Sequence, residues 1–323
     1  MYKDEKQKKF KEMIERSFEK SHAPMFIRKY FVRFRSKVGA ASCWYSLRVL
    51  FLWLIERDVI HKKSIAELEP KDFLDVTAED ITIHLEELEE NGISPVTTFT
   101  KKARYKSFWD YLVRTEAFPV HRNIILDVPY EGIRTSCLIK KYASEEQIKV
   151  MEENILRKKS AFYRIRNHTI LRVLKGTGIR ESELCGLDLE DLHLKEKDPY
   201  IVILGKGKYR SIEVRNVFLT KDAVDALEEW LAIRNEYCNA DERAVFIGRF
   251  KERLNERGVI NIFTQYGDGI RPHMIRHYYA TAMASYKGGL AFAQQQLGHA
   301  SIQMTTMNYV NGIQNMRDVL SKL

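Results

Sequence analysis

Apolar residues recur along the first 115 positions at the three- and four-residue spacing of amphipathic helices. Phe10, Met13, Ile14 and Phe18 share one face within residues 3–20. Leu47, Leu50, Phe51 and Leu54 do so within 42–57, and Phe99, Tyr105, Phe108 and Leu112 within 95–114. The punctuation agrees with the periodicity. Pro24 stands at a tolerated first position of a helix predicted over 24–35. Thr77, with Asp80 three residues on, opens a helix that closes at Asn91-Gly92. No strand-like alternation interrupts this region, which predicts a small all-helical unit.

Phe118-Pro119, Asp127-Val128-Pro129 and Gly132 then break the periodicity. This divides the chain into a helical domain over 1–130, a linker over 131–142 and a second domain over 143–323. Ser144 followed by two glutamates opens a helix, and Ile165, Leu171 and Leu174 align another over 160–175 that stops at Gly176-Thr-Gly178. The clearest strand signal is Tyr200–Leu204, rich in β-branched residues. Gly205-Lys-Gly-Lys208 turns the chain, and Tyr209–Val214 returns. Helices follow over 222–237 and 273–286, with short ones near 290–297, 301–309 and 313–322. The predicted fold class is mainly α with a small β-sheet.

Composition narrows the function. A chain of 323 residues with 30% charged residues and a net charge of +9 suits two domains and a polyanionic partner such as nucleic acid, although an ordinary basic protein carries the same balance. Cys43, Cys137, Cys185 and Cys238 are scattered, without a Cys-x-x-Cys pair, as in a reduced cytoplasmic protein. The polar N-terminus lacks a signal-peptide core, and the longest apolar run, Val49–Ile55, is too short to span a bilayer. No membrane segment is predicted.

The candidate chemistry lies late in the chain. Gly176-Thr-Gly and Gly205-Lys-Gly fit neither the P-loop nor the dinucleotide-loop pattern. His273 and His277 have zinc-like spacing, but a cation, Arg276, lies between them and the glutamate of a metalloprotease is missing, so no metal is assigned. Cleaving a phosphodiester without metal needs cations on the nonbridging oxygens, an acid for the leaving oxygen and a nucleophile. Arg180, Lys206, His273, Arg276, His299 and Tyr309 supply that set in order.

These segments resemble the tyrosine recombinases, the phage integrase family that includes the Xer-type enzymes. Gly178-Ile-Arg180-Glu-Ser-Glu183-Leu is similar to the family's first arginine motif, Gly205-Lys206-Gly to its lysine turn, and His273-Met-Ile-Arg276-His277 to its His-x-x-Arg-His box. Leu297-Gly-His299 matches the next box, and Tyr309 follows ten residues later, where many members have nine. Val310-Asn311 replaces the usual Thr-His after the nucleophile. The resemblance covers about 143–311 well; the first domain matches only the looser pattern of a helical, SAM-like core-binding domain.

The resemblance implies a site-specific recombinase. Tyr309 would attack the scissile phosphate to give a 3′-phosphotyrosyl link. Arg180, Arg276 and His299 would stabilise the developing charge, Lys206 would protonate the 5′ oxygen and His273 would handle the tyrosine proton. Glu183 would brace the site, with His277 as a packing residue. No ATP, metal or other cofactor is implied. The implied partner is double-stranded DNA with inverted-repeat arms, held by a homotetramer that exchanges strands through a Holliday junction, with an accessory protein as an option. Lys101, Lys102, Arg104 and Lys106 would contact DNA from the first domain. The tail over 313–323, with Ile313, Met316, Val319 and Leu320 at helical spacing, would dock on a neighbouring protomer or, alternatively, pack on its own domain. Tyr266, Tyr278, Tyr279 and Tyr286 are read as packing residues. A type IB topoisomerase and a non-catalytic DNA-binding protein are the rival readings. The ten-residue spacing leans toward a mobile-element integrase.

Overall fold

The computed structural model describes residues 2–115, 118–129, 142–206, 212–284 and 289–298. The chain divides into two compact units, Met1–Leu138 and Ile139–Leu323.

The described part of the first unit is helical: α1 (Tyr2–Lys20), α2 (Met25–Val32), α3 (Lys37–Glu56), α4 (Ala78–Glu90) and α5 (Pro95–Arg114), with short 3-10 turns between and after them. The caps follow from side-chain chemistry. Ser36 accepts from the Gly39 N–H at the start of α3, and Ser94 from the Thr97 N–H at the start of α5. Thr77 and Asp80 form a reciprocal capping box on α4. Helix α3 is long and apolar enough to cross a membrane, yet Leu47, Leu50, Phe51 and Leu54 are wholly buried in the unit's core. There Phe51, Phe73, Phe108 and Trp109 pack edge-to-face or tilted, with centroids 5.3–5.9 Å apart. Tyr30 and Tyr111 join the same cluster.

Among its described residues, the second unit starts with α6 (Glu145–Leu156), α7 (Ala161–Thr177) and a single turn, α8 (Glu181–Cys185). A three-stranded antiparallel sheet follows, ordered β1 (Leu192–His193), β2 (Tyr200–Lys206), β3 (Ile212–Phe218). Helices α9 (Lys221–Arg234), α10 (Glu256–Tyr266), α11 (Pro272–Ala284) and α12 (Gly289–Leu297) complete it. Register pairs Ile203 with Arg215 and Ile201 with Val217. Ile201, Ile203 and Val217 are buried, whereas Leu204, Val214 and Phe218 are exposed, so the sheet has one covered face. Arg215 stands on the covered face, an unusual place for a cation.

Several elements depart from the sequence expectations. Helix α3 starts five residues before 42, because Ser36 caps it and Gly39-Ala40-Ala41 continue the helix without a strong apolar signal. Helix α9 ends at Arg234 and passes into a 3-10 turn over Asn235–Tyr237. Helix α10, capped by Asn255, was not anticipated. Strand β2 takes in Gly205 and Lys206, which are predicted in the turn, and β3 runs over Ile212–Phe218 where 209–214 is predicted; the pair extends from Tyr200–Phe218 to Lys206–Ile212. The segments predicted as helices over 301–309 and 313–322 lie outside the described residues.

Candidate active site

The site is built around the end of α7. Gly178 terminates that helix with φ +64°, a left-handed conformation that favours glycine. A Cβ there would stand 2.5 Å from Tyr279 Cδ1 and 2.8 Å from Leu297 Cδ2. The missing side chain thus lets α11 and α12 close on the α7 terminus. The next turn carries Arg180, whose N–H donates to Glu183 Oε2 and whose Nη1 donates to Oε1, each at 2.9 Å. Arg180 keeps 38% of its side chain exposed, while Glu183 keeps 7%. The carboxylate is therefore the fixed member and holds a cation that still reaches solvent.

Glu183 has a second partner. Arg215 donates from Nη2 to Glu183 Oε2 at 2.8 Å and from Nε to the Gln296 carbonyl at 3.0 Å. Burial pushes the Glu183 carboxyl up, but the hydrogen bond and charge of Arg215, with the N–H and charge of Arg180, hold it below the usual carboxylate range. Gln296 is itself buried and its Oε1 accepts from the Phe218 N–H, tying α12 to β3.

Arg276 lies on α11 and is 7% exposed. Its Nη1 donates to the Gly178 carbonyl and its Nη2 to the Leu297 carbonyl, both at 2.8 Å. Both acceptors are helix-terminal carbonyls, which carry partial negative charge. Burial, reinforced by the charges of Arg180 and Arg215, lowers the guanidinium to about 10, leaving it cationic at neutral pH. Two of its five N–H groups are used in these bonds, so donors remain for an oxyanion.

His273, on the same helix, is exposed, and its Nε2 lies 3.4 Å from Glu181 Oε1. The other oxygen of Glu181 is buried without a partner. His277 is half-buried, Tyr279 packs under Gly178, Tyr266 is buried, and Tyr278 donates to Glu145. Lys206 ends β2 and pairs in register with Ile212. His299 and Tyr309 lie outside the described residues, as does Tyr286. The structure thus brings together Arg180, Glu183 and Arg276, with His273 on the same helix as Arg276. It adds Arg215, Gln296 and Glu181, which sequence reasoning missed.

In the first unit the α5 cations are engaged internally. Lys101 is buried, with Nζ 5.4 Å from the centroid of the Tyr45 ring, and burial lowers its pKa. Lys102 donates to the Val128 carbonyl, and Arg104 to the Ser42 carbonyl and to the Ser42 and Ser46 hydroxyls. Lys106 is exposed and pairs with Asp110 at 3.0 Å. The outward face of the first half of α5 is Val96, Phe99, Thr100 and Ala103.

Comparison with known proteins places the second unit. The model of the phage integrase family matches residues 141–315. The chain belongs to the phage integrase family. Among curated relatives, the tyrosine recombinase XerC of Psychromonas ingrahamii is 29% identical over 231 residues, which are 70% of this chain and 73% of that protein. XerC of Proteus mirabilis is 30% identical over 226 residues, 67% of this chain and 68% of that protein. This chain is therefore a tyrosine recombinase, an enzyme of DNA strand breakage and rejoining. Solved structures share the fold. The XerH site-specific recombinase bound to its difH substrate aligns with a TM-score of 0.64 and 20% identity, over 84% of this chain and 77% of that one. A lambda integrase dimer bound to a COC′ core site aligns with a TM-score of 0.64 and 13% identity, over 88% and 93%.

Proposed function

We propose that this tyrosine recombinase cuts and rejoins DNA at specific sites through a 3′-phosphotyrosyl intermediate on Tyr309. The observation that carries the proposal is the pairing of Arg180 and Arg276 around the Gly178–Glu183 turn. One cation is oriented by a buried carboxylate and the other is fixed on two helix-end carbonyls. Two preorganised guanidiniums on one edge suit the charge that builds on nonbridging oxygens during in-line attack. The reaction needs no outside energy. The Tyr309 hydroxyl oxygen forms a bond to phosphorus, the 5′ oxygen leaves and takes a proton from Lys206, and the released 5′-hydroxyl of another strand reverses the step. His299 adds a hydrogen bond to the same charge, and His273 accepts or positions the tyrosine proton.

The duplex is held in both units. In the first, α5 enters a major groove with the Val96, Thr100 and Ala103 ridge facing the bases. Lys106, exposed beside the ridge, reaches toward phosphates, while Lys101, Lys102 and Arg104 serve the fold. Four protomers bring two inverted-repeat sites together in the cytoplasm and exchange strands in pairs through a Holliday junction, and the tail over 313–323 links neighbours. The structures of XerH on difH and of lambda integrase on a core site are DNA complexes of that fold and support DNA as the partner. The service to a mobile element rests on the ten-residue spacing from His299 to Tyr309. Covalent trapping of the protein on nicked duplexes tests the proposal: an adduct that Tyr309→Phe abolishes supports it, and an undiminished adduct on Tyr309→Phe refutes it.

A further inference from the structure

Arg215 is a buried cation beside the candidate site whose position the reaction chemistry does not explain. It stands on the covered face of β3, paired in register with the buried Ile203, and its side chain is 9% exposed. Taking a guanidinium out of water is costly unless its donors are well used. Here they are used on two different elements. Nη2 holds Glu183, thirty-two residues back in the chain, and Nε holds the carbonyl of Gln296, eighty-one residues on. The third edge faces Gly298, where a Cβ would stand 2.9 Å from Nη1 and 3.0 Å from Cζ. Gly298 also has φ +61°, so a glycine is favoured there twice over, by backbone and by the guanidinium.

These contacts link parts of the site that are separate in sequence. Glu183 orients Arg180. Gln296 and Leu297 end α12, and the next turn leads into residue 299. Arg276 takes the Leu297 carbonyl while Arg215 takes that of Gln296. Two guanidiniums thus hold consecutive carbonyls at one helix end, where the dipole is negative. One of them, Arg215, at the same time holds the acid that aims Arg180. A residue needed only to neutralise Glu183 would not require the second bond, and one needed only to cap α12 would not require the first.

We propose that Arg215 is a positioning residue: its single guanidinium sets both the Glu183–Arg180 pair and the Gln296–Gly298 end of α12, so that the two sides of the phosphate site keep a common geometry. The inference rests on the reading of this site as the strand-cleaving centre. Arg215 does not touch DNA in this account and acts through Arg180 and through the turn before His299.

The test compares three variants of the full chain: Arg215→Lys, Glu183→Gln and the double variant Glu183→Gln/Arg215→Met. Each is measured for thermal unfolding, for single-turnover cleavage of nicked duplexes from the DNA flanking its own gene, and for amide hydrogen exchange over 292–298. The double variant removes both buried charges together, which protects folding from an orphaned carboxylate. The double variant is expected to cleave about tenfold more slowly than Glu183→Gln alone, or worse, the scale of losing one charge-assisted hydrogen bond beyond the carboxylate. Exchange over 292–298 should quicken in both Arg215 variants and stay near wild type in Glu183→Gln. Arg215→Lys, which keeps the charge but lacks the fork, should fold normally and cleave slowly. Equal cleavage by the double variant and Glu183→Gln, with equal exchange, would overturn the inference and reduce Arg215 to a counter-ion. A wild type that cleaves no duplex would instead overturn the function, while the exchange data would still judge whether Arg215 fixes α12.

Discussion

Replacing Gly178 by alanine should damage the site more than its small size suggests, and the structure supplies a control. Gly178 and Gly269 both have positive φ, +64° and +85°, and both belong to the second unit. Forcing an alanine into that backbone region costs about 1–2 kcal/mol at either position. The surroundings differ. A Cβ at 269 meets nothing within 4 Å, whereas one at 178 meets the Tyr279 ring at 2.5 Å and Leu297 at 2.8 Å. Tyr279 and Leu297 are both buried, so neither has open space to yield into. Overpacking of this kind adds about 1–3 kcal/mol. Gly178→Ala should therefore lose about 3 kcal/mol or more, against about 1–2 for Gly269→Ala. On a unit of this size the losses lower the Tm by roughly 10 °C and roughly 4 °C respectively. Urea unfolding followed by circular dichroism reads the difference as a shift in midpoint at unchanged slope. Since the Gly178 carbonyl holds Arg276 Nη1, Gly178→Ala should also cleave DNA more slowly than Gly269→Ala. Equal losses of stability in the two variants, within about 0.5 kcal/mol, would refute the packing argument.

Two further outcomes concern the first unit. His84 is buried, its Nε2 pairs with the Tyr105 hydroxyl at 3.1 Å, and its Nδ1 has no partner. Burial, with the charge of Lys101, lowers it from 6.5 to about 4. A base with a depressed folded pKa gives stability that is complete above pH 6.5 and lost as pH falls toward 4, here about 3 kcal/mol. Urea midpoints measured from pH 7 to pH 4 should fall with that slope in the wild type and flatten in His84→Gln; identical slopes would contradict it. Thr77 accepts from the Asp80 N–H at 3.2 Å and donates to its carboxylate at 2.7 Å. Thr77→Ala should cost about 1 kcal/mol while Thr77→Ser keeps most of it, read by thermal unfolding, and a neutral alanine would argue that the cap contributes nothing.

The sequence shows most where a short-range rule applies. Caps at Thr77, Ser94 and Ser144 and the stop at Gly178 are set by neighbours a few residues away, and helices begin and end there, whereas Gly205, read as a turn, pairs within the strand. Helix α10 was readable in principle, since Val259, Ile262, Phe263 and Tyr266 repeat at helical spacing behind the Asn255 cap. Helix α3 begins earlier than its apolar stripe because small residues continue a helix without marking it. The site was legible as a list of residue types, but its wiring was not. Strand alternation puts Arg215 on the covered face, yet no local pattern says that its partners lie on α8 and α12. The same limit applies on α5. Four basic residues in six positions look like a phosphate-binding stripe, but helical geometry sends Lys101 inward toward Tyr45 and leaves Val96, Phe99, Thr100 and Ala103 on the outside.

The most direct test of the central claim is to find which atom of the protein becomes joined to DNA. The full chain would be incubated with nicked suicide duplexes from its own genomic neighbourhood, digested with protease, and the nucleotide-bearing peptide sequenced by mass spectrometry beside the Tyr309→Phe variant. The account predicts one modified residue, Tyr309, carrying a 3′-phosphate, at sites flanked by inverted repeats and absent from the variant. A DNA-linked peptide containing any other residue, or an undiminished adduct in Tyr309→Phe, would contradict it.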